Sequence, residues 1–369
     1  MSYEIKCTVC GQTSANLLDY KCRKCGNPLD LRLDFAFNVK GVRKRVHGVW
    51  RYTKFFPYIK PSEIVTLGEG WTPLIRFFGN VYFKLEGLNP TGSFKDRGST
   101  VLISAIYKHV KAYGGFISED SSGNAGASIA AYAARAGIKA KIYVPENVSG
   151  PKLNQIMFYG AEVVKVSGNR SHVAEEAQKQ EGGKFYVGHI LHPVFRDGIR
   201  SLAYEISEQL NWEAPESVYL PVSAGMLLLG VISGFKHLAV SGVIAKMPKI
   251  VACQTRQVSP LYHRFKGLPY HPPEKITSIA DALVSTNPPL LELIAKELRT
   301  VNGDAVIVEE DEILKAFKEL AERGFFVEPS SAVAYAAFKK QREKGKVARG
   351  EKAVIVLTGT GLKTALKPN

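Results

Sequence analysis

The sequence predicts an α/β fold in which mainly parallel sheets carry helices on both faces, preceded by a small cysteine-bearing module. Strand-like and helix-like stretches alternate from Val81 to Leu357. Repeated βαβ units of this kind produce a doubly wound sheet that binds ligands at the carboxyl ends of its strands. The 369 residues, 45% of them hydrophobic and 22% charged, suffice for two or three domains with sizeable cores.

Four cysteines near the N-terminus stand in two Cys-x-x-Cys pairs, Cys7 with Cys10 and Cys22 with Cys25, separated by eleven residues. Two such pairs can bring four thiolates around one tetrahedral metal ion, and four protein ligands leave no open position for catalysis. Two disulfides are the alternative, which an intracellular setting disfavours. The spacing therefore predicts a structural zinc ribbon over residues 1–34.

Basic and aromatic residues alternate between Lys40 and Lys60, as in Trp50-Arg51-Tyr52. Beside a zinc ribbon this composition is typical of nucleic-acid binding, because bases stack on aromatic rings and basic side chains neutralise phosphates. The other interpretation, which we expect, is an arm over residues 35–80 that packs on the large lobe of the following domain. The net charge of +15 favours anionic ligands of any class and does not decide between the two.

The segment Val218–Phe235 contains 18 uncharged residues, close to the length of a membrane-spanning helix. Pro221, Gly225 and Gly230 interrupt it, so the pattern predicts a strand, a turn and a buried helix rather than a membrane span. The first seven residues lack the apolar core of a signal peptide, and we therefore expect a cytoplasmic protein.

The stretch Leu85–Gly98 connects a predicted strand to a predicted helix through a loop rich in glycine and proline. Apolar residues recur at helical spacing from Gly98, so Lys95 would lie in the first helical turn, where the helix dipole disfavours a positive charge. A lysine held there is more easily neutral, and a neutral amine can attack an aldehyde to form a Schiff base. Taken alone, a solvated surface lysine is the more common explanation.

Three further segments have the composition of ligand-binding loops. Ser121–Gly126 lies between a predicted strand and a helix, and its small residues and N–H groups can hold an anion. Pro221–Leu227 has the same strand-to-helix position, although Gly225 is its one glycine. Val354–Leu357 is a buried strand that runs into the glycine turn 358–361.

In this order the segments resemble the fold type II pyridoxal-phosphate enzymes of the tryptophan synthase beta-like superfamily, and most closely the threonine synthase family. The resemblance extends from the cysteine pairs to Lys363 and covers nearly the whole chain. It implies two doubly wound parallel-sheet lobes that face each other: a small lobe over 81–190, which bears Lys95, and a large lobe over 191–369.

The resemblance also implies roles for individual residues. Lys95 would be the catalytic and cofactor-bearing lysine, Asn124 would meet the phenolic oxygen of the cofactor, and Thr358 its pyridine nitrogen. The full set of implied cofactor-binding residues is Lys95, Phe94, Asn124, Ser223, Ala224, Gly225, Met226, Leu227 and Thr358. In the phosphate loop 223–227, Ala224 and Met226 replace the additional glycines that most relatives have.

Two groups of residues are candidates for binding the substrate. The resemblance assigns the substrate carboxylate to the loop that contains Ser122, Gly123, Asn124, Ala125 and Gly126. For a substrate phosphate, the candidates close in sequence to the lysine are Lys84, Ser93 and Arg97.

The implied activity is that of a homodimeric threonine synthase with pyridoxal 5'-phosphate and structural zinc, which converts O-phosphohomoserine and water to L-threonine and phosphate. The alternative is a paralogue that performs β-replacement or elimination with the same lysine, such as a cysteate synthase, an O-phosphoserine sulfhydrylase or a threonine/serine dehydratase. The residues that select the leaving group and the nucleophile are scattered over the pocket, so one sequence does not rank these reactions. The expected partner is a small phosphorylated amino acid, and neither nucleic acid nor a membrane is expected.

Overall fold

The computed structural model describes residues 2–168 and 170–364, in which three β-sheets are surrounded by helices. The strands are β1 (Ser2–Cys7), β2 (Thr13–Ser14), β3 (Leu29–Asp34), β4 (Leu74–Phe78), β5 (Val81–Leu85), β6 (Phe116–Glu119), β7 (Lys139–Pro145), β8 (Glu162–Val166), β9 (Lys184–Tyr186), β10 (Ser217–Pro221), β11 (Lys249–Thr255), β12 (Asp304–Val308) and β13 (Ala353–Leu357). The helices are α1 (Lys95–Ala112), α2 (Asn124–Ala136), α3 (Pro151–Phe158), α4 (Arg170–Gln178), α5 (Pro193–Ile199), α6 (Ser201–Gln209), α7 (Met226–Val240), α8 (Pro260–Lys266), α9 (Leu291–Thr300), α10 (Glu310–Glu322) and α11 (Pro329–Glu343).

The two larger sheets form the two lobes. The large sheet has the strand order β12-β11-β10-β13-β5-β4 and is parallel except for its edge pair, β4 with β5. The small sheet has the order β8-β7-β6-β9 and is parallel throughout. The prediction of an α/β fold is confirmed, with one antiparallel edge strand that makes the large sheet mixed.

The structure corrects the expected boundary of the small lobe at residue 81. Strand β5 lies inside the large sheet, where Leu85 pairs with Leu357, and β4, expected in the arm, pairs with β5. The strands of the small sheet lie between Phe116 and Tyr186. The sequence could not show this, because β5 finds its partner β13 at the opposite end of the chain.

The aromatic residues of the arm are part of the core. Trp50, Tyr52, Phe55 and Phe56 are all buried, and the Trp50 indole N–H donates a hydrogen bond to Thr100 Oγ1 at 3.0 Å. Buried rings cannot stack on nucleotide bases, so this packing removes the aromatic platform on which the nucleic-acid interpretation depended.

The uncharged run at Val218–Phe235 forms the end of a strand and the start of a helix. Strand β10 ends at Pro221 and α7 begins at Met226, and most side chains of both elements are buried. No helix in the described part of the chain has the length and apolarity that a membrane crossing requires.

Four charged side chains are buried together where β5, α1 and α6 meet. Lys84 Nζ lies 2.5 Å from Glu205 Oε1, and the guanidinium of Arg97 lies 2.8 Å from Glu205 and 2.7 Å from Glu86. All four side chains are fully buried. Since a buried charge without a partner is very costly, this network fixes the start of α1 against the large sheet and α6.

We expect Glu205→Ala to lower the free energy of unfolding by about 3–5 kcal/mol, because Lys84 and Arg97 lose the carboxylate that they share. Urea unfolding at constant pH measures this. Asp311→Ala, which breaks the exposed ion pair with Lys315, is the matched control and should have a far smaller effect. Equal effects of the two variants would contradict a structural role of the network.

Candidate active site and cysteine cluster

Most of the predicted site residues lie at one edge of the large sheet. Strands β5, β13 and β10 are parallel neighbours, so the loops that follow them emerge at the same edge. Ser93 forms a β-bridge with Gly359, and the Phe94 N–H donates to the Thr358 carbonyl oxygen at 3.1 Å. The lysine loop and the C-terminal glycine turn are therefore in direct contact.

Lys95 is the first residue of α1, as the sequence predicts. Its Nζ atom lies 4.9 Å from the centroid of the Phe94 ring and 5.8 Å from that of Phe195. Burial lowers the pKa of the Lys95 amine to about 8, and the nearby Glu119 carboxylate partly offsets this. A substantial neutral fraction near neutral pH thus follows mainly from desolvation, where the sequence argument invoked the helix dipole.

The loop before Lys95 is held tightly. Thr91 N–H donates to the Asp96 carboxylate at 2.7 Å, which ties the loop to the first turn of α1. Gly92 has φ +82°, and a Cβ at this position would lie 2.7 Å from Thr360 Cγ2. Only glycine therefore allows the loop to lie this close to the C-terminal turn.

The predicted carboxylate loop contacts the same turn. Asn124, the first residue of α2, donates through Nδ2 to both oxygens of Glu328 at 3.1 and 2.9 Å, and its Oδ1 accepts from Lys363 Nζ at 2.5 Å. Ser122 and Gly123 are half-buried, whereas Ala125 and Gly126 are buried. The first N–H groups of α2 have no acceptor within the helix, so they are available to an anion.

The loop 223–227 forms the start of α7. Gly225 has φ +87°, and an added Cβ would lie 2.1 Å from Ile294 Cδ1. Met226 and Leu227 are only 2% and 4% exposed, and Ala224 is also buried. The side chain of Met226 therefore packs in the core and does not fill the loop. Although the loop has a single glycine, the backbone N–H groups at the start of α7 stay free to bind a phosphate.

Two more predicted residues have polar groups suited to a ligand. Thr358 follows β13, and its hydroxyl lies 2.9 Å from Ser331 Oγ. Ser93 is fully buried, and its Oγ atom has no hydrogen-bond partner among the described residues. A buried hydroxyl without a partner is costly, so Ser93 indicates a ligand that would satisfy it. Ser223 Oγ, in contrast, accepts from the Ser285 N–H at 3.3 Å.

The structure corrects the assignment of Lys84 and Arg97 to a substrate phosphate. Both side chains are fully buried in the ion network with Glu86 and Glu205, and they have no surface to present to a ligand. Sequence proximity to Lys95 was misleading, since β5 and α1 direct these two side chains toward the interior.

Lys363, which the sequence argument left without a role, reaches the site. Its Nζ atom donates to the Thr91 carbonyl oxygen at 2.7 Å and to Asn124, and burial lowers its pKa to about 8. Among the ion pairs of the described residues none contains Lys363, whereas Lys152 pairs with Glu328 at 3.0 Å. The available signal was the position of Lys363 directly after the glycine turn.

The four N-terminal cysteines converge at one end of the antiparallel sheet β2-β1-β3. Their sulfur atoms all lie within 4.8 Å of one another, and the cysteines are free thiols. Cys7 Sγ is 3.5 Å from Cys25 Sγ, and Cys10 Sγ is 3.6 Å from Cys22 Sγ. Thiolates about 2.3 Å from a tetrahedral zinc ion would lie about 3.8 Å apart, so the cluster fits such an ion.

Comparison with known proteins gives one consistent family. A sequence model of the family described as pyridoxal-phosphate dependent enzyme matches residues 65–359. Threonine synthase from Methanocaldococcus jannaschii is 36% identical over 380 aligned residues, which cover 97% of this chain and 92% of that protein. Threonine synthase from Methanosarcina acetivorans is 31% identical, with 98% and 92% covered. The solved structure of threonine deaminase isoform 2 from Solanum lycopersicum has a TM-score of 0.69 at 22% identity, covers 89% of both chains, and shows the same fold.

The matched residues 65–359 include both lobes, Lys95, the loop at Asn124 and the loop at Gly225. The two relatives extend the similarity over the cysteine module as well, since they cover nearly the whole chain. The chain therefore belongs to the family of pyridoxal-phosphate dependent enzymes and has their fold type II architecture.

Proposed function

We propose that this protein is a threonine synthase, which converts O-phosphohomoserine and water to L-threonine and phosphate. The observation that carries the proposal is the half-buried Lys95 at a helix start, whose pKa is lowered to about 8. The loops at 91–94 and 121–126 lie nearby, and Lys363 contacts both through Thr91 and Asn124. Relatives named threonine synthase that cover nearly the whole chain support the specific reaction.

The residues present fit pyridoxal 5'-phosphate. Lys95 would hold the cofactor through its amine, and the N–H groups at 224–227, where α7 begins, would hold its phosphate. Asn124 and Thr358 offer an amide and a hydroxyl for its ring oxygen and ring nitrogen, and Phe94 adjoins Lys95. When bound, this cofactor withdraws electrons and stabilises negative charge at the carbon atoms near the substrate amine.

Residues of this chain would bind the substrate and transfer its protons. Lys95, once its amine is free, takes and returns protons at Cα, Cβ and Cγ of the substrate, for which a pKa near neutrality is well suited. The loop 122–126 binds the substrate carboxylate through backbone N–H groups. The Thr358 hydroxyl places no negative charge beside the ring nitrogen.

The substrate phosphate requires cations other than those expected from the sequence. We assign it to Lys363 and Ser93, in place of Lys84 and Arg97. Lys363 is a half-buried cation that donates hydrogen bonds to the neutral carbonyl oxygens of Thr91 and Asn124, so its charge favours an anion in the cleft. The unpartnered hydroxyl of Ser93 supplies a second donor.

Lys95→Ala should lose both the visible absorbance of bound cofactor and the release of phosphate from O-phosphohomoserine, with turnover reduced at least about 100-fold, because the amine and its proton transfers are removed. The matched control is Lys108→Ala, an exposed lysine of the same helix, which should retain both. Turnover in Lys95→Ala would contradict the assignment. A wild-type protein that binds no pyridoxal phosphate would refute the enzyme function as a whole.

Lys363→Ala should weaken binding of O-phosphohomoserine about 10- to 100-fold, since a charge-assisted hydrogen bond to the phosphate is lost. Isothermal titration with O-phosphohomoserine and with L-homoserine separates the phosphate from the rest of the substrate. Lys165→Ala, an exposed lysine on β8, controls for the change in net charge. Equal losses for the two ligands would show that Lys363 acts on a part other than the phosphate.

The paralogous reactions remain as outcomes of the same assays. Wild-type protein that shows the cofactor absorbance but releases no phosphate from O-phosphohomoserine should be tested with O-phosphoserine and sulfide or sulfite, and with threonine and serine. The homodimer stays a prediction from the resemblance, and the cytoplasmic location also stays a prediction.

We further propose that Cys7, Cys10, Cys22 and Cys25 hold one structural zinc ion. Metal analysis of the full-length protein should give one zinc per chain, and Cys25→Ser should lose it because the tetrahedral ligand set is incomplete. Cys253→Ala removes the buried cysteine of β11 and should retain the zinc. A full complement of zinc in Cys25→Ser would contradict the proposed ligand set.

A further inference from the structure

Glu119 is a buried carboxylate that none of the proposed functions uses. It is the last residue of β6 and has no exposed surface. Strand β9, which pairs with β6 through Ser118 and Tyr186, leads directly to His189. Both residues therefore lie at the carboxyl edge of the small sheet, the edge at which parallel sheets bind ligands.

His189 holds Glu119 through two hydrogen bonds. The His189 backbone N–H donates to Glu119 Oε2 at 2.9 Å, and His189 Nδ1 lies 2.7 Å from Oε1. When the His189 imidazole is neutral and bound to the Glu119 carboxylate, its Nδ1 atom carries the proton and donates the hydrogen bond. Two bonds from one residue to the two oxygens fix the carboxylate in a single orientation.

This pair borders Lys95. The ring of Phe195 lies 5.8 Å, centroid to centroid, from the ring of His189, and the same Phe195 ring lies 5.8 Å from Lys95 Nζ. The charges also act on one another: Glu119 is the one group that raises the pKa of Lys95 against the effect of burial. The Lys95 charge in turn lowers the pKa of Glu119 and of His189.

We propose that Glu119, oriented by His189, is a positioning residue that sets how firmly the Lys95 amine holds its proton. Burial raises the pKa of Glu119 to about 7, so its negative charge develops over the pH range in which Lys95 begins to lose its proton. The two groups titrate as a coupled pair, in which each charge stabilises the other. The inference rests on the proposed role of Lys95 in the reaction.

Other polar and charged groups also lie near Glu119. Arg170 on α4 pairs with Asp120 at 2.8 Å, and Tyr186 donates to Asp120 at 2.7 Å. Asp120 and Arg170 influence the pKa of Glu119 and of His189. Neither of them shifts the pKa of Lys95, but both act on the Glu119–His189 pair, so a control carboxylate has to lie away from this cluster.

The test is the rate at which Lys95 of the full-length, cofactor-free protein reacts with an acylating reagent, followed by mass spectrometry from pH 6 to 10. Labelling needs the neutral amine, and it needs neither turnover nor cofactor, so its failure is distinct from failure of the proposed reaction. The wild-type profile should show two inflections, since Glu119 and Lys95 titrate together. A profile that fits a single group would overturn the proposal without any variant.

Glu119→Gln should label Lys95 about three- to tenfold faster than wild type at about pH 7–7.5, because the ammonium loses a nearby negative charge and its pKa falls. The difference should shrink toward about pH 10, where the amine is neutral in both proteins. The difference should vanish near pH 6, where the wild-type carboxyl is itself protonated. Glu119→Asp keeps the charge and should restore the two inflections, and Glu162→Gln, which removes an exposed carboxylate of β8, should leave the profile as in wild type. An unchanged profile in folded Glu119→Gln, or an equal change in Glu162→Gln, would refute the role of Glu119.

Discussion

The buried ion network of Lys84, Glu86, Arg97 and Glu205 is the constraint on which the rest of the site depends. Arg97 lies two residues after Lys95, so its bonds to Glu86 and Glu205 fix the first turn of α1. Four buried charges are stable only when all are paired with good geometry. The network therefore fixes the position of the Lys95 amine, and it requires all four charged residues to stay paired.

In the site around this network, burial shifts the pKa values of the titratable groups more than any single charge does. Desolvation lowers the pKa of Lys95 and Lys363 to about 8 and raises that of Glu119 to about 7. Three groups from three different segments thus titrate near neutral pH, which is where proton transfer to and from a substrate is most effective.

The N-terminal module and the arm join the two lobes. Arg196 of α5 contacts the ribbon through Leu29 and Asp30, while Tyr20 packs edge-on against Tyr186 of the small sheet at 4.7 Å. A module this small buries little apolar surface, and the metal ion proposed for its four cysteines would stabilise it. This location argues for a structural rather than a nucleic-acid-binding module.

The sequence by itself determined the α/β class, the position of Lys95 at the start of a helix, the loops at Asn124 and Gly225, and the pairing of the cysteines, because each depends on local periodicity, spacing or turn chemistry. The tertiary structure alone decided that β5 belongs to the large sheet and that Lys84 and Arg97 point into the core. It alone also placed Lys363 against Thr91 and Asn124, and Glu119 where its charge acts on Lys95. These outcomes depend on contacts between segments far apart in the chain, which no local pattern encodes.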